Sequence, residues 1–210
     1  MEKSTKEKIM TTAIYLFAKY GYAGTTIRMI AKEMNFSEAA LYKHFAGKSE
    51  LFKSIVIREQ LRIHDFYKKI SVPETIDPIN VTAGYQEIQG EALLKMAEGI
   101  FNFFTKDEEI SLYRKILTRE QYGNSDIAEI YDKKFLSGVI ESQSKIFEKF
   151  IADGYFSGKL GNSKLIATRF YSPIFLLFQI YDIHPHRENE ILQILREHVD
   201  SFGVMHGLKK

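Results

Sequence analysis

Ser37-Glu38-Ala39-Ala40-Leu41-Tyr42-Lys43-His44-Phe45 reads as a short helix with one narrow core face and one face of hydrogen-bonding tips. Ser37 is placed to cap it, and the helix is expected from Glu38 to about Phe45. Leu41 and Phe45, four apart, form the core face. Ala39 and Ala40 let a helix approach a nucleic-acid groove closely, and Ala40 can meet a thymine methyl. Tyr42, Lys43 and His44 can reach phosphates or base edges. The plainer alternatives stay open at this point. Tyr42 would then be a rim residue packed on the core, Glu38 a solvated charge in the first turn, and Lys43 part of a solvated face.

Working outward, Asn35-Phe36 makes a tight turn, since Asn is among the few residues that accept a left-handed backbone. Before it, Ile27, Ile30, Ala31 and Met34 give a second helix capped by Thr25 or Thr26. Arg28 lies on that helix's outer face, where it either reaches guanine or stays solvated. Further back, Ile9, Ala13, Leu16, Phe17 and Tyr20 make one apolar stripe from about Thr5 to Tyr20, ended by Gly21. After Phe45, Ala46-Gly47 breaks the chain. Lys48 and Ser49 then open a fourth helix through Leu51, Phe52, Ile55, Val56, Arg58 and Leu61 to about Lys69. Two short helices around a tight turn have the helix-turn-helix outline.

Charge is distributed unevenly. Residues 1–68 hold 12 Lys and Arg against 7 Asp and Glu, whereas the remainder holds 17 against 20. A basic head on an acidic body suits a polyanionic partner.

These residues resemble the tetracycline-repressor-like (TetR) transcription regulators. The resemblance is carried by Thr25-Thr26-Ile27, Ile30-Ala31, Phe36-Ser37, Leu41-Tyr42-Lys43-His44-Phe45 and Lys48-Ser49-Glu50-Leu51. It implies that the third helix enters the major groove of double-stranded DNA. Tyr42, His44, Lys48 and Thr26 would hold flanking phosphates, with Arg28, Ser37, Glu38, Ala39, Ala40 and Lys43 completing the contact surface. The chain departs from the family at Met34-Asn35-Phe36, where Ala-Gly-Val is usual, and at Ala40, where a hydroxyl residue is common. Ala40 removes one possible hydrogen bond, so the sequence read by this head is expected to be unusual.

The rest of the chain resembles the family in length and helix pattern. Ser71 to Gly84 holds Pro73 and Pro78 among β-branched residues and reads as a loop. Helical patterns resume at about Gln86–Phe104, Glu108–Glu120, Asp126–Ala152, Ser163–Asp182 and Glu188–His206, so the expected fold is all-α with about nine helices. The expected organisation is a DNA-binding domain at 1–48, a connecting helix at 49–70 and a ligand-binding and dimerisation domain at 71–210. The helix at Ser163–Asp182 is apolar nearly all round, as a helix buried on several sides would be. Ile174, Leu177, Phe178, Tyr181, Leu195, Val199 and Phe202 could be plain core of one subunit. The resemblance implies that they form a homodimer seam. It also implies a small-molecule effector, and the residues available to line its site are Phe101, Phe104, Tyr113, Tyr131, Phe135, Phe170 and Phe175. That set suits an apolar or aromatic compound, and it equally suits a well-filled helical core.

Other chemistry has little support in the sequence. There is no cysteine, and hence no disulfide or thiolate metal site. Gly47-Lys48-Ser49 ends like a phosphate-binding loop, but Tyr42 stands where its first glycine belongs and a helix precedes it instead of a strand. His184 and His186 flank Pro185 without carboxylates at ligand spacing. No nucleophile elbow or dinucleotide fingerprint is present, so neither an enzyme nor a cofactor is expected. The charged residues 1–8 are unlike a secretion signal, and the most apolar stretch, Phe170 to Tyr181, falls short of the ~20 residues that span a bilayer. A cytoplasmic protein without a membrane partner is expected. Control by a protein partner is the main rival to control by a ligand, and an enzyme site in the helical body the more distant one.

Overall fold

The computed structural model describes residues 4–69, 90–154 and 161–206. The loop expected at 71–84 lies outside them, as does the expected start of the next helix at 86–89. The described residues form ten α-helices and one 3-10 turn, with no strand among them. The helices are α1 (Thr5–Gly24), α2 (Ile27–Glu33), α3 (Glu38–Tyr42), α4 (Lys48–Lys69), α5 (Gly90–Lys106), α6 (Glu108–Glu120), α7 (Ser125–Phe135), α8 (Ser137–Ala152), α9 (Ser163–Ile183) and α10 (Glu188–Met205), with the 3-10 turn at Pro185–Arg187 before α10.

The single helix expected over Asp126–Ala152 is two. Leu136 leaves helical geometry (φ −124, ψ −107). Just beyond it, a side chain at Gly138 would fall on the Lys133 backbone carbonyl, a closeness only glycine allows. The Ser137 hydroxyl donates to Asp132 across the break.

The chain divides into two compact units: residues up to Asp65 with Asp107–Tyr131, and Phe66–Lys106 with Asp132 onward. The division differs in kind from a sequential split near residues 48 and 70, because α6 belongs with the first four helices.

In the first unit the α1 stripe is buried at Ile9, Ala13, Leu16 and Phe17, with Ile14 beside them, but Tyr20, expected in the same stripe, is 48% exposed; Ile30, Leu41, Leu51 and Ile55 are buried on α2, α3 and α4. Phe17, Tyr22 and Phe52 meet in tilted and edge-on pairs with centroids 5.0 to 5.7 Å apart. Ser4 opens α1 with a capping box: its hydroxyl accepts from the Glu7 N–H, and the Glu7 carboxylate accepts from the Ser4 N–H.

One charged residue of α4 is buried in this unit, between two half-buried arginines of the same helix. Glu59 has no exposure and takes Arg62 at 2.7 Å and Arg58 at 2.6 Å. Arg58 also donates to Thr11 of α1 and Glu109 of α6. Arg62 grips Asp107, the cap of α6, through two contacts of 2.7 and 2.9 Å. Burial first, then the Glu59 carboxylate, pushes the Tyr113 hydroxyl up.

In the second unit Phe101, Phe104, Phe135 and Phe178 form one aromatic cluster. A second core gathers Phe147, Ile166, Ala167 and Phe202, with Phe170 packed against it. Tyr171 donates its hydroxyl to the Phe135 carbonyl at 3.0 Å. Pro173 sits inside α9, where it cannot donate to Arg169. One residue on, the Phe170 carbonyl meets His198 Nε2 of α10 at 2.8 Å, so that nitrogen carries the proton.

Candidate nucleic-acid interface

The turn between α2 and α3 is built as its residues require. Asn35 takes the left-handed conformation (φ +56), the one non-glycine residue to do so among those described. The Phe36 N–H reaches back to the Ala31 carbonyl at 2.8 Å. Ser37 caps α3, its hydroxyl accepting from the Ala40 N–H at 3.2 Å. Thr26, not Thr25, caps α2, accepting from Met29. Thr25 is buried instead, its hydroxyl 2.7 Å from the Gly21 carbonyl and 3.1 Å from that of Leu16. In the Thr-Thr pair, only the residue facing the core can tie off α1.

The α3 helix is shorter than expected, ending at Tyr42, with His44 and Phe45 still bonded to the Leu41 carbonyl. Its two faces separate sharply. Leu41 and Phe45 are 1% and 2% exposed, while Tyr42 is 53% exposed. Ser37, Glu38, Ala39, Lys43 and His44 are exposed with it, and Ala40 is half-buried. Thr26 and Arg28 are exposed at the start of α2. The short helix and the two residues after it therefore present hydroxyl, carboxylate, ammonium and imidazole groups beside two alanines, a surface that can bond phosphate oxygens and base edges while approaching them closely.

Lys48 is placed differently from the others. It is half-buried at the first turn of α4, and its ammonium donates to the Tyr22 carbonyl at 2.8 Å and lies 3.4 Å from that of Ala23. It also sits 4.6 Å above the Tyr22 ring. Glu50 covers the start of α4, accepting from the Ala46 N–H at 2.5 Å.

The residues expected to line an effector site are not all brought together. Tyr113 and Tyr131 belong to the first unit. Phe101, Phe104 and Phe135 share the aromatic cluster of the second unit, Phe170 packs on the other core there, and Phe175 pairs with Tyr171.

The residues expected at a dimer seam lie mostly inside the subunit. Ile174, Leu177, Phe178, Leu195, Val199 and Phe202 are all buried, and Tyr181 is half-buried against Phe101. The outward face of the same two helices is carried by Leu165, Leu176, Ile183, Ile194, Val204 and Met205, all exposed. A helix apolar all round does not declare in sequence which face turns outward.

His184 and His186 are exposed, with rings 5.7 Å apart. No helix among the described residues is long and apolar enough to cross a membrane.

A DNA-reading helix-turn-helix head joined to a larger helical body defines a transcription regulator, and comparison with known proteins agrees. The sequence profile of "Bacterial regulatory proteins, tetR family" matches residues 9–55. The biofilm operon icaADBC negative transcriptional regulator IcaR of Staphylococcus aureus is 27% identical over 187 residues, covering 84% of this chain and 98% of its own. The SmeT–triclosan complex has the same fold, with a TM-score of 0.67 at 18% identity over 96% of this chain and 91% of that one. The fatty acid degradation regulator FadR of Bacillus halodurans superposes at 0.66, with 16% identity over 98% and 100%. The chain is thus similar to TetR-family bacterial transcription regulators, by the profile at residues 9–55 and by likeness to IcaR over most of its length.

Proposed function

We propose that this protein is a repressor that binds an inverted-repeat operator as a homodimer and leaves it when a small apolar molecule occupies the helical body. The observation that carries the reading is the division of α3 into a sealed core face and an exposed polar face. Tyr42, His44 and Thr26 hold phosphates on either side of the groove, and Arg28, Glu38, Ala39, Ala40 and Lys43 face base edges. An ammonium has three protons. Lys48 therefore remains able to offer one to a phosphate while anchored on α1.

Repression is favoured by the likeness to IcaR, a negative regulator. Dimerisation is favoured by the exposed stripe of Leu165, Leu176 and Ile183 on α9 beside Ile194, Val204 and Met205 on α10. Six large apolar side chains in water are costly, and covering them against a second copy removes that cost. An apolar effector is favoured by the Phe101, Phe104, Phe135 and Phe178 cluster and by the triclosan complex of SmeT. Binding to the chromosome places such a protein in the bacterial cytoplasm.

The test is selection of bound duplexes from a random pool, followed by titration of the enriched sequence. An inverted repeat bound by one dimer is expected. Enrichment of no sequence, or of an asymmetric single site bound by a monomer, would refute the reading.

A further inference from the structure

The C-terminal end of α1 is not a simple helix end. Gly21 breaks the spiral at φ +83, ψ +161, and the chain resumes one short turn before α2. Carbonyls on both sides of the break turn to side-chain donors. Lys48 of α4 takes Tyr22 and Ala23, and buried Thr25 takes Gly21 and Leu16. Arg119, in the last turn of α6, takes two more: it donates to the Phe17 carbonyl at 2.5 Å and to the Ala18 carbonyl at 2.9 Å. Its Nε lies 3.0 Å from Glu120, which orients the guanidinium. Two cations thus converge on the negative end of one helix dipole, from two different helices.

The other end of α6 is also fastened to α1. The Thr11 hydroxyl lies 3.3 Å from both oxygens of Glu109, and Arg58 bonds both residues. Over its whole length α6 is therefore pinned to the helix that carries α2 and α3.

We infer that Arg119 is a positioning residue for the DNA-reading head: from α6 it fixes the broken end of α1, and with it the Thr26 cap and the Lys48 anchor. The inference rests on the DNA-binding reading above and adds a route of regulation to it. Whatever displaces α6 displaces the segment from which α2 departs. Arg119 itself is half-exposed on a helix remote in sequence from α3, and no part of its role requires contact with DNA.

The test compares wild type, Arg119→Ala, Arg119→Lys and Gly21→Ala on the duplex that the wild-type protein enriches from a random pool, by anisotropy at roughly 50 to 200 mM salt. Arg119→Ala is expected to weaken binding about 3- to 30-fold with the salt slope unchanged. Arg119→Lys, which restores a donor to the same carbonyls, should recover most of the loss. Gly21→Ala forces a side chain into left-handed backbone, 3.1 Å from Glu120 and 3.3 Å from Arg119, and should weaken binding with the same unchanged slope. Wild-type affinity in Arg119→Ala would overturn the inference. So would a slope shallower by about two units, which would make Arg119 a direct phosphate contact. If Arg119→Ala does not fold, Gly21→Ala decides, and undiminished binding by it would overturn the proposal. A wild-type protein that enriches no duplex would refute the DNA-binding reading itself, and the inference with it.

Discussion

Replacing Glu59 by Ala should destabilise the first unit by about 2–3 kcal/mol, less than an isolated buried ion pair would suggest. Glu59 is fully buried, and both of its partners are guanidiniums from its own helix. Removing one member of a buried pair commonly costs about 3–5 kcal/mol, because the other charge is left without compensation. Here the loss is softened. Arg58 keeps Glu109 and Thr11, Arg62 keeps Asp107, and their side chains retain 17% and 35% exposure to water. Glu59→Gln retains hydrogen-bonding capacity and loses the charge, so it should cost less, about 1–2 kcal/mol. The assay is urea unfolding at fixed protein concentration, since dimerisation would couple stability to concentration. For a chain of this size the shift in thermal midpoint should be about 5–10 °C for Ala. A change below about 1 kcal/mol, with the slope against urea unchanged, would show that the arginines are satisfied without Glu59 and that the network is incidental.

Three further outcomes are expected. Lys48→Ala removes two carbonyl contacts and a cation–π contact, and should lower stability by about 1–2 kcal/mol as well as weaken DNA binding; unaltered stability would mean the anchor on α1 contributes nothing. Leu176→Glu or Ile183→Glu, at positions 57% and 71% exposed, should leave a folded monomer by sedimentation, whereas Phe178→Glu at 2% should unfold the chain; a wild-type dimer in Leu176→Glu, Ile183→Glu and the double variant alike would place the seam elsewhere. Burial first, then Arg169, holds the His206 imidazole below its usual range, so the folded state binds fewer protons than the unfolded state. Stability should be full above about pH 6.5 and fall as pH drops below it, by at most about 1.4 kcal/mol per unit, and His206→Leu should flatten that fall.

The reading head was legible because its signals are local. A Ser cap, an Asn that accepts left-handed backbone and a Leu and Phe four apart depend only on neighbours in the chain, and Ser37, Asn35, Leu41 and Phe45 stand as their types demand. What the sequence concealed depends on contacts made at a distance. Arg58, Glu59 and Arg62 look like a solvated helix face until Asp107 and Glu109 are brought to them. Arg119 looks like an ordinary basic last turn until it meets carbonyls about a hundred residues away. The faces of α9 were ambiguous for the opposite reason: Leu176 and Leu177 are alike in sequence, and only packing decides that one is exposed and the other sealed. The break at Leu136 leaves only Gly138 as its trace, and a lone glycine within a helical pattern is a weak signal.

The central claim, that α3 and its surroundings grip a duplex as part of a symmetric dimer, is tested most directly by the salt dependence of binding to the enriched duplex. If a dimer meets about ten phosphates, log affinity should fall against log salt with a slope near −9, with one dimer per inverted repeat. Tyr42→Phe and His44→Ala should each weaken binding, and His44→Ala should leave stability unchanged because that side chain is exposed. A slope near zero, or equal affinity for the enriched duplex and for unrelated sequence, would contradict the account.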